Sequence, residues 1–190
     1  FDIVACDGQP VRWALNWYFG AGINRLVYGP DTTLRVCEEA ARRGLGVYLY
    51  GGKPEVLAAL ERNLAARIPE LNVVGAESPP FRPLTDEEHA AVDCRVADSG
   101  AAIVLIGLGC PKQELFAAAH RDGMPAVQLC VGAAFDFHAG VLKMAPAWMQ
   151  HAGLEWLFRL CCEPRRLWKR YLVGNTKFIA MCLRRTLLGG

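Results

Sequence analysis

Short apolar runs and longer amphipathic ones follow each other with marked regularity over the first 145 residues. The run "FDIVAC" (1–6), closed by Asp7-Gly8, predicts a buried strand. "PVRWALNWYF" (10–19) predicts a helix with Pro10 near its first turn. "GPDTTLRVCEEAARRG" (29–44) predicts a second, capped by Asp31 or Thr32 and stopped by Gly44. "GVYLYGG" (46–52) is β-branched and aromatic, ends in two glycines, and predicts a strand. Leu57, Leu60, Leu64 and Ile68 recur at helical spacing within 53–69. A strand follows at 71–76, then a proline-rich loop at 78–84. Thr85 and an acidic first turn open a helix over 85–100. "AAIVLIG" (101–107) predicts a strand, 111–123 a helix and 126–132 another strand.

Strands alternate with helices, and most strands are apolar throughout. That pattern predicts an α/β fold: a Rossmann-like parallel sheet with helices on both faces. Ligands of such sheets bind outside the carboxyl ends of the strands. The residues to inspect are therefore Asp7-Gly8, Gly51-Gly52-Lys53, Gly107 to Glu114 and Gly132 to Gly140. Beyond residue 145 no strand is predicted. Two or three helices, broken at Gly153 and Pro164, form a C-terminal helical appendage. The expected division is a core over 1–145 and a basic amphipathic appendage over 146–190.

The whole chain of 190 residues carries a net charge of only +2. From Arg159 to Arg185, however, eight Lys/Arg face one acid, a local +7, and the remainder holds 13 basic against 18 acidic residues, or −5. In the last helix Trp168, Tyr171, Leu172, Phe178, Ile179 and Cys182 share a stripe beside these charges. Such a helix suits an anionic membrane surface, with packing on the body as the alternative. No apolar run approaches the ~20 residues of a membrane span. The opening residues lack the features of a signal peptide, and their abrupt start without Met reads as the continuation of a longer sequence. The eight cysteines sit singly in apolar segments (Cys37, Cys94, Cys130), apart from Cys161-Cys162. No spacing fits zinc, so buried, reduced thiols are expected.

The chemistry concentrates in "GLGCPKQE" (107–114). A helix N-terminus presents backbone N–H groups and partial positive charge to an anion. Gly107 and Gly109 would let a diphosphate approach the backbone, Pro111 would fix the first helical residue, and Lys112 and Gln113 would add donors. An ordinary strand-to-helix turn is the competing reading, and neither the dinucleotide nor the P-loop fingerprint is met. Asp7 is either a helix cap or a general base. Asp136 is either a loop cap or an acceptor for sugar hydroxyls. His138, alone in sequence, reads as structural. An NAD-dependent oxidoreductase would need a glycine fingerprint after the first strand, which "DGQPVRW" does not provide.

Taken in order, "DGQPV", "RLVYGPD", "YLYGG", "PFRPLT", "GLGCPKQE", "GAAFDFHAG", "AP" and "GLEWLFRLCCEPRRLWKRY" closely resemble the WecG/TagA/CpsF glycosyltransferase family (glycosyltransferase family 26), over nearly the whole chain. The resemblance implies an inverting, metal-independent transfer from a UDP-sugar, typically of N-acetylmannosamine, with no cofactor. The implied acceptor is an undecaprenyl-diphosphate-linked saccharide at the cytoplasmic face of the plasma membrane, where the protein would be peripheral. Some relatives transfer glucose or mannosaminuronic acid, and a non-catalytic membrane-docked module is the alternative from another class. By position Asp7 matches the family's catalytic base and Arg25 the arginine of its R-V-x-G-P-D segment. Gln113 and Asp136 match pocket residues, and Arg159, Arg166 and Arg170 match appendage residues that close over the donor diphosphate. Relatives can self-associate, which leaves a homo-oligomer open, and no nucleic-acid partner is expected. Two departures stand out. Met144-Ala145-Pro146 replaces the Arg-Ala-Pro of many relatives, beside Lys143, and the family's Thr/Asn-bearing N-terminal segment lies outside this sequence.

Overall fold

The computed structural model describes residues 1–24 and 26–188, with the side chains of all but Ala147, His151, Arg166, Arg170 and Leu188. Along the chain run α1 (Gln9–Phe19), α2 (Gly29–Arg43), β1 (Gly46–Gly51), α3 (Pro54–Arg67) and β2 (Val73–Glu77). There follow α4 (Asp86–Asp98), β3 (Ala101–Gly107), α5 (Lys112–Ala119), β4 (Val127–Cys130) and α6 (Ala134–His138). The chain ends in α7 (Ala147–His151), α8 (Glu155–Cys162) and α9 (Pro164–Leu188). It divides into two compact units: Tyr28–Leu142 together with Phe1, and Asp2–Val27 with Lys143–Gly190.

The first unit is the α/β fold. Its four strands are all parallel, in the order β2-β1-β3-β4. Alternation along the strands builds two cores, because successive side chains leave opposite faces of a sheet. Val47, Leu49 and Leu105 pack with Leu34 and Cys37 of α2, Leu57, Leu60 and Leu64 of α3, and Phe135 of α6. Tyr48, Tyr50, Val104 and Ile106 pack with Val92 and Val96 of α4 and with Phe116 of α5. Burial on both faces explains why β1 is apolar throughout.

Local signals set the helix ends. Thr85 and Glu88 form a reciprocal capping box at α4. Gly44 stops α2 in the left-handed conformation, φ 64°. The start of α2 differs from expectation. Its N-cap is Tyr28, so Asp31 and Thr32 fall inside the first turn, where Thr32 and Thr33 hydroxyls donate to the carbonyls of Tyr28 and Gly29. Pro30 at the helix start draws the boundary back toward the N-terminus.

Residues 1–6 form no strand. Ile3 and Val4 are 88% and 84% exposed, and the segment's backbone contact is Val27 N–H to the Cys6 carbonyl, 3.2 Å. An apolar run supplies strand propensity but needs a ladder of partners to become one. The sheet is completed around β1 by β2 and β3 without it.

The second unit is helical. Tyr18 of α1 donates its hydroxyl to the Cys182 carbonyl of α9 at 2.6 Å, and its oxygen lies 2.8 Å from Thr186 Oγ1. The Arg185 guanidinium stacks over Tyr18 and Phe19, 5.3 and 5.4 Å from the ring centres. Gly153, in the left-handed region, separates α7 from α8 and leaves room for the Gln9 amide; Pro164 opens α9. The expected apolar stripe on α9 divides. Tyr171, Phe178 and Cys182 are half-buried, whereas Trp168, Leu172 and Ile179 are exposed. No described helix is long and apolar enough to cross a membrane.

The thiols also depart from expectation. Cys37 is buried, but Cys94, Cys110, Cys161 and Cys162 are exposed. Cys94 lies on α4 between the buried Val92 and Val96, on the opposite face.

Candidate functional site

The connection from β1 leads to β2 on one side, while β3 lies on the other. This reversal makes the carboxyl ends of β1 and β3 the switch point, and ligands of parallel sheets bind in the crevice outside such strand ends. Gly51 and Gly107 are paired in register at that edge. The Gly52 amide donates to the Gly107 carbonyl at 3.2 Å, and Ser78 Oγ, just past β2, donates to the Gly52 carbonyl at 2.7 Å.

Each glycine has its own reason. A Cβ on Gly107 would stand 2.5 Å from the Phe135 ring, so Gly107 makes room for that ring beneath the crevice. At Gly109 the space is open, but φ is +74°, a conformation that side chains rarely adopt. The Cys110–Pro111 peptide is cis. Pro111 is the N-cap of α5 and Lys112 its first residue, one position later than the sequence pattern suggests.

Gln113 is the least expected residue here. A first-turn glutamine is usually solvated, yet this one is 7% exposed. Its Nε2 donates to Glu114 Oε1 at 2.9 Å, which fixes the amide orientation because a carboxylate only accepts. Its Oε1 is then left without a donor among the described residues and faces Gly132, where a Cβ would lie 3.3 Å away. The Cys130 thiol donates to the Gln113 carbonyl at 3.4 Å. Burial, with help from the Glu114 charge, pushes the Cys130 thiol up to about 11, so it remains a protonated donor. Lys112 is exposed at the mouth of the turn.

Asp136 lies in α6, directly after Phe135, and its carbonyl accepts from the amides of Val141 and Leu142 at 2.9 and 3.1 Å. His138 donates Nε2–H to the Pro30 carbonyl at 2.9 Å, and burial lowers its pKa, which suits a neutral strut between α6 and α2.

The fold thus brings together Gly107, Gly109, Pro111, Lys112 and Gln113, and sets Asp136 on the element whose Phe135 underlies them. It adds Gly51, Gly52, Ser78, Cys130, Gly132 and Phe135. Gly51, Gly52, Gly132 and Phe135 fall in strand-end segments that the sequence singles out, whereas Ser78 carries no signal. Asp7 and Arg159 belong to the second unit, as do Arg166 and Arg170, whose side chains lie outside the described residues, as does all of Arg25. Asp7 is exposed, and α1 is capped by Gly8 with no side-chain bond, so Asp7 does not cap that helix. No cluster of three metal-ligating side chains occurs among the described residues.

The strand-end turn, the α5 N-terminus and the buried Gln113 side chain thus lie together at the edge where parallel sheets place ligands. The family model described as "Glycosyl transferase WecG/TagA/CpsF family" matches residues 1–189. The chain belongs to that family. It is therefore a glycosyltransferase of cell-surface polysaccharide synthesis, acting between a nucleotide-sugar donor and a saccharide acceptor.

Proposed function

We propose that this family member is an inverting hexosyltransferase that moves N-acetylmannosamine from UDP to an undecaprenyl-diphosphate-linked saccharide. The observation that carries the donor reading is Gln113 Oε1, buried in the first turn of α5 with no donor among the described residues. An orphaned buried acceptor costs ~1–3 kcal/mol, which a ligand hydroxyl or N–H recovers on binding. Gly109 and the first turn of α5 hold the diphosphate, with Lys112 at the mouth, Gly107 and Pro111 shaping the turn, and Asp136 accepting from sugar hydroxyls.

In this reading Asp7 takes the proton of the acceptor hydroxyl as that oxygen attacks the anomeric carbon opposite the departing UDP. Arg25, Arg159, Arg166 and Arg170 offset the charge that develops on the leaving diphosphate, a role that needs no metal. The family resemblance supports these assignments. Functionally, 1–145 is the catalytic core and 146–190 the appendage.

The second unit supports docking at the inner face of the plasma membrane. All five tryptophans of the chain (Trp13, Trp17, Trp148, Trp156 and Trp168) lie in that unit, each at least 43% exposed. Tryptophan favours the membrane–water interface, and the neighbouring Lys/Arg favour anionic headgroups. Single-turnover assay of the full-length protein, with a panel of UDP-sugars and a short-chain lipid-diphosphate acceptor, tests the reaction. Transfer from UDP-N-acetylmannosamine with inverted configuration is expected; nucleotide binding without transfer from any sugar would leave a non-catalytic module.

A further inference from the structure

Away from the crevice, a chain of three titratable side chains joins α4 to the far end of α5. His120, the C-cap of α5, is 1% exposed. Its Nδ1 lies 2.5 Å from Asp93 Oδ1, and its Nε2 lies 2.8 Å from Nδ1 of His89. Its ring packs on Phe116 at 4.0 Å, and Phe116 stacks on Tyr50 at 4.4 Å. The Gln128 amide holds the His120 carbonyl at 2.9 Å, and the backbone at Gly123 lies against the Asp93 carboxylate, with no room for a Cβ. None of these groups touches the donor crevice.

Proton counting constrains this chain. An ionised carboxylate only accepts, so His120 Nδ1 carries a hydrogen. One hydrogen, and only one, fits between two ring nitrogens 2.8 Å apart. His89 Nε2 is the remaining position. The two imidazoles in contact therefore hold no positive charge or one. A second would place hydrogens on both facing nitrogens and break the bond between α4 and α5.

The surroundings fix where that second proton is felt. The charged and titratable groups nearby are Asp93 and Glu88 on α4, Arg82 bound to Glu88, Arg121 and Asp122 after His120, and Tyr50 on β1 behind Phe116. Burial raises the Tyr50 pKa, so it stays neutral, and β4 adds the uncharged Gln128 and the Cys130 thiol, which burial keeps protonated. Gln113, Phe116, Ala117 and His120 form one buried face of an eight-residue helix. A helix that short moves as a unit, so a displacement at His120 reaches Gln113.

We propose that Asp93, His120 and His89 form a one-proton latch that positions α5 and makes the donor turn sensitive to acid. Its consequence for nucleotide rests on the reading of α5 as the donor helix. The latch is closed while the histidine pair carries at most one charge and opens as a second proton enters on acidification.

The test follows ring nitrogens of His89 and His120, backbone amides of Gly109 to Gln113, and UDP affinity together, from pH 7.5 to pH 5, in the wild type and in His89→Gln. Glutamine keeps a polar partner for His120 but takes no proton. In the wild type the two rings should titrate as a coupled pair, the Gln113 amide should shift with the second step, and UDP affinity should fall about fivefold or more. His89→Gln should abolish the amide shift and leave only the pH dependence intrinsic to UDP. Independent ring titrations, or an acid shift at Gln113 that persists in His89→Gln, would overturn the latch. Should UDP fail to bind at any pH, the donor reading falls while ring and amide shifts still judge the latch. His120→Gln serves as a second variant: loss of the amide shift in a folded protein agrees with the latch, and its retention contradicts it.

Discussion

A methyl group on Gly51 would stand 2.7 Å from the carbonyl carbon of Gly107, its register partner across β1 and β3. The two strand ends approach so closely that Gly51 tolerates no side chain, and Gly51 also has φ +126°. Gly51→Ala is expected to cost about 1–3 kcal/mol of stability through overpacking. It should also disturb the Gly52–Gly107 hydrogen bond and so weaken nucleotide binding. Denaturant midpoints and UDP affinities of the two proteins check this; an unaltered midpoint would mean that the strand ends can separate.

Much of this edge was legible in the sequence, and the reasons differ by residue. "AAIVLIG" read as a strand because continuous apolarity and a terminal glycine agree with burial on both sheet faces, and β3 has those bounds. Thr85 and Glu88 announced α4 through a local capping pattern. Burial of Gln113 was not legible, since Gly132 and Cys130, which come from β4 and the turn after it, enclose it only in the folded unit. Nor was Phe135 beneath Gly107, a contact between residues distant in sequence. Residues 1–6 misled because hydrophobicity reports burial potential and says nothing of a partner strand.

Asp7→Asn is expected to reduce single-turnover transfer by about 10²–10⁴-fold, the usual contribution of a general base, with UDP affinity nearly intact. An amide keeps the shape but does not accept the proton, and the exposed Asp7 makes no helix cap whose loss would confuse the result. Transfer above about a tenth of the wild-type rate would remove Asp7 from the base role.

The capping box of α4 gives a stability prediction. Thr85→Ala should cost about 1 kcal/mol. Arg82 and the Thr85 amide hold the Glu88 carboxyl down, at about 2. Because that pKa is depressed in the folded state, its contribution is present above the ordinary carboxylate range and fades as pH falls toward about 2. Thermal midpoints of Glu88→Gln should therefore differ from wild type at pH 6 and converge with it near pH 2; a constant gap would contradict the assignment.

The membrane reading separates by position along α8 and α9. Lys177 and Arg184 are exposed, whereas Arg185 stacks on Tyr18 and Phe19 and is best left in place. Lys177→Gln with Arg184→Gln should lower binding to anionic liposomes, each charge contributing about 1 kcal/mol, with UDP affinity unchanged. Arg159→Gln with Arg166→Gln should mainly weaken UDP binding. Co-sedimentation at low and high salt decides it, since attraction to headgroups is screened beyond about 8 Å at physiological ionic strength. Binding that ignores salt, or self-association of the unbound protein through the same apolar face, would count against a charge-guided membrane dock.

The proposed function stands on the nucleotide of the donor lying outside the paired strand ends of Gly51 and Gly107, with Gln113 beside it. Titration of UDP into isotope-labelled protein, wild type and Gln113→Ala, tests it most directly. The amides of Gly51, Gly52, Gly109, Gln113 and Gly132 should shift together in the wild type. Gln113→Ala should weaken binding by about 1–3 kcal/mol, roughly fivefold or more in Kd, without lowering the thermal midpoint, because the residue removed carries a buried acceptor with no donor among the described residues. Shifts confined to other parts of the chain, or equal affinity in the two proteins, would contradict it.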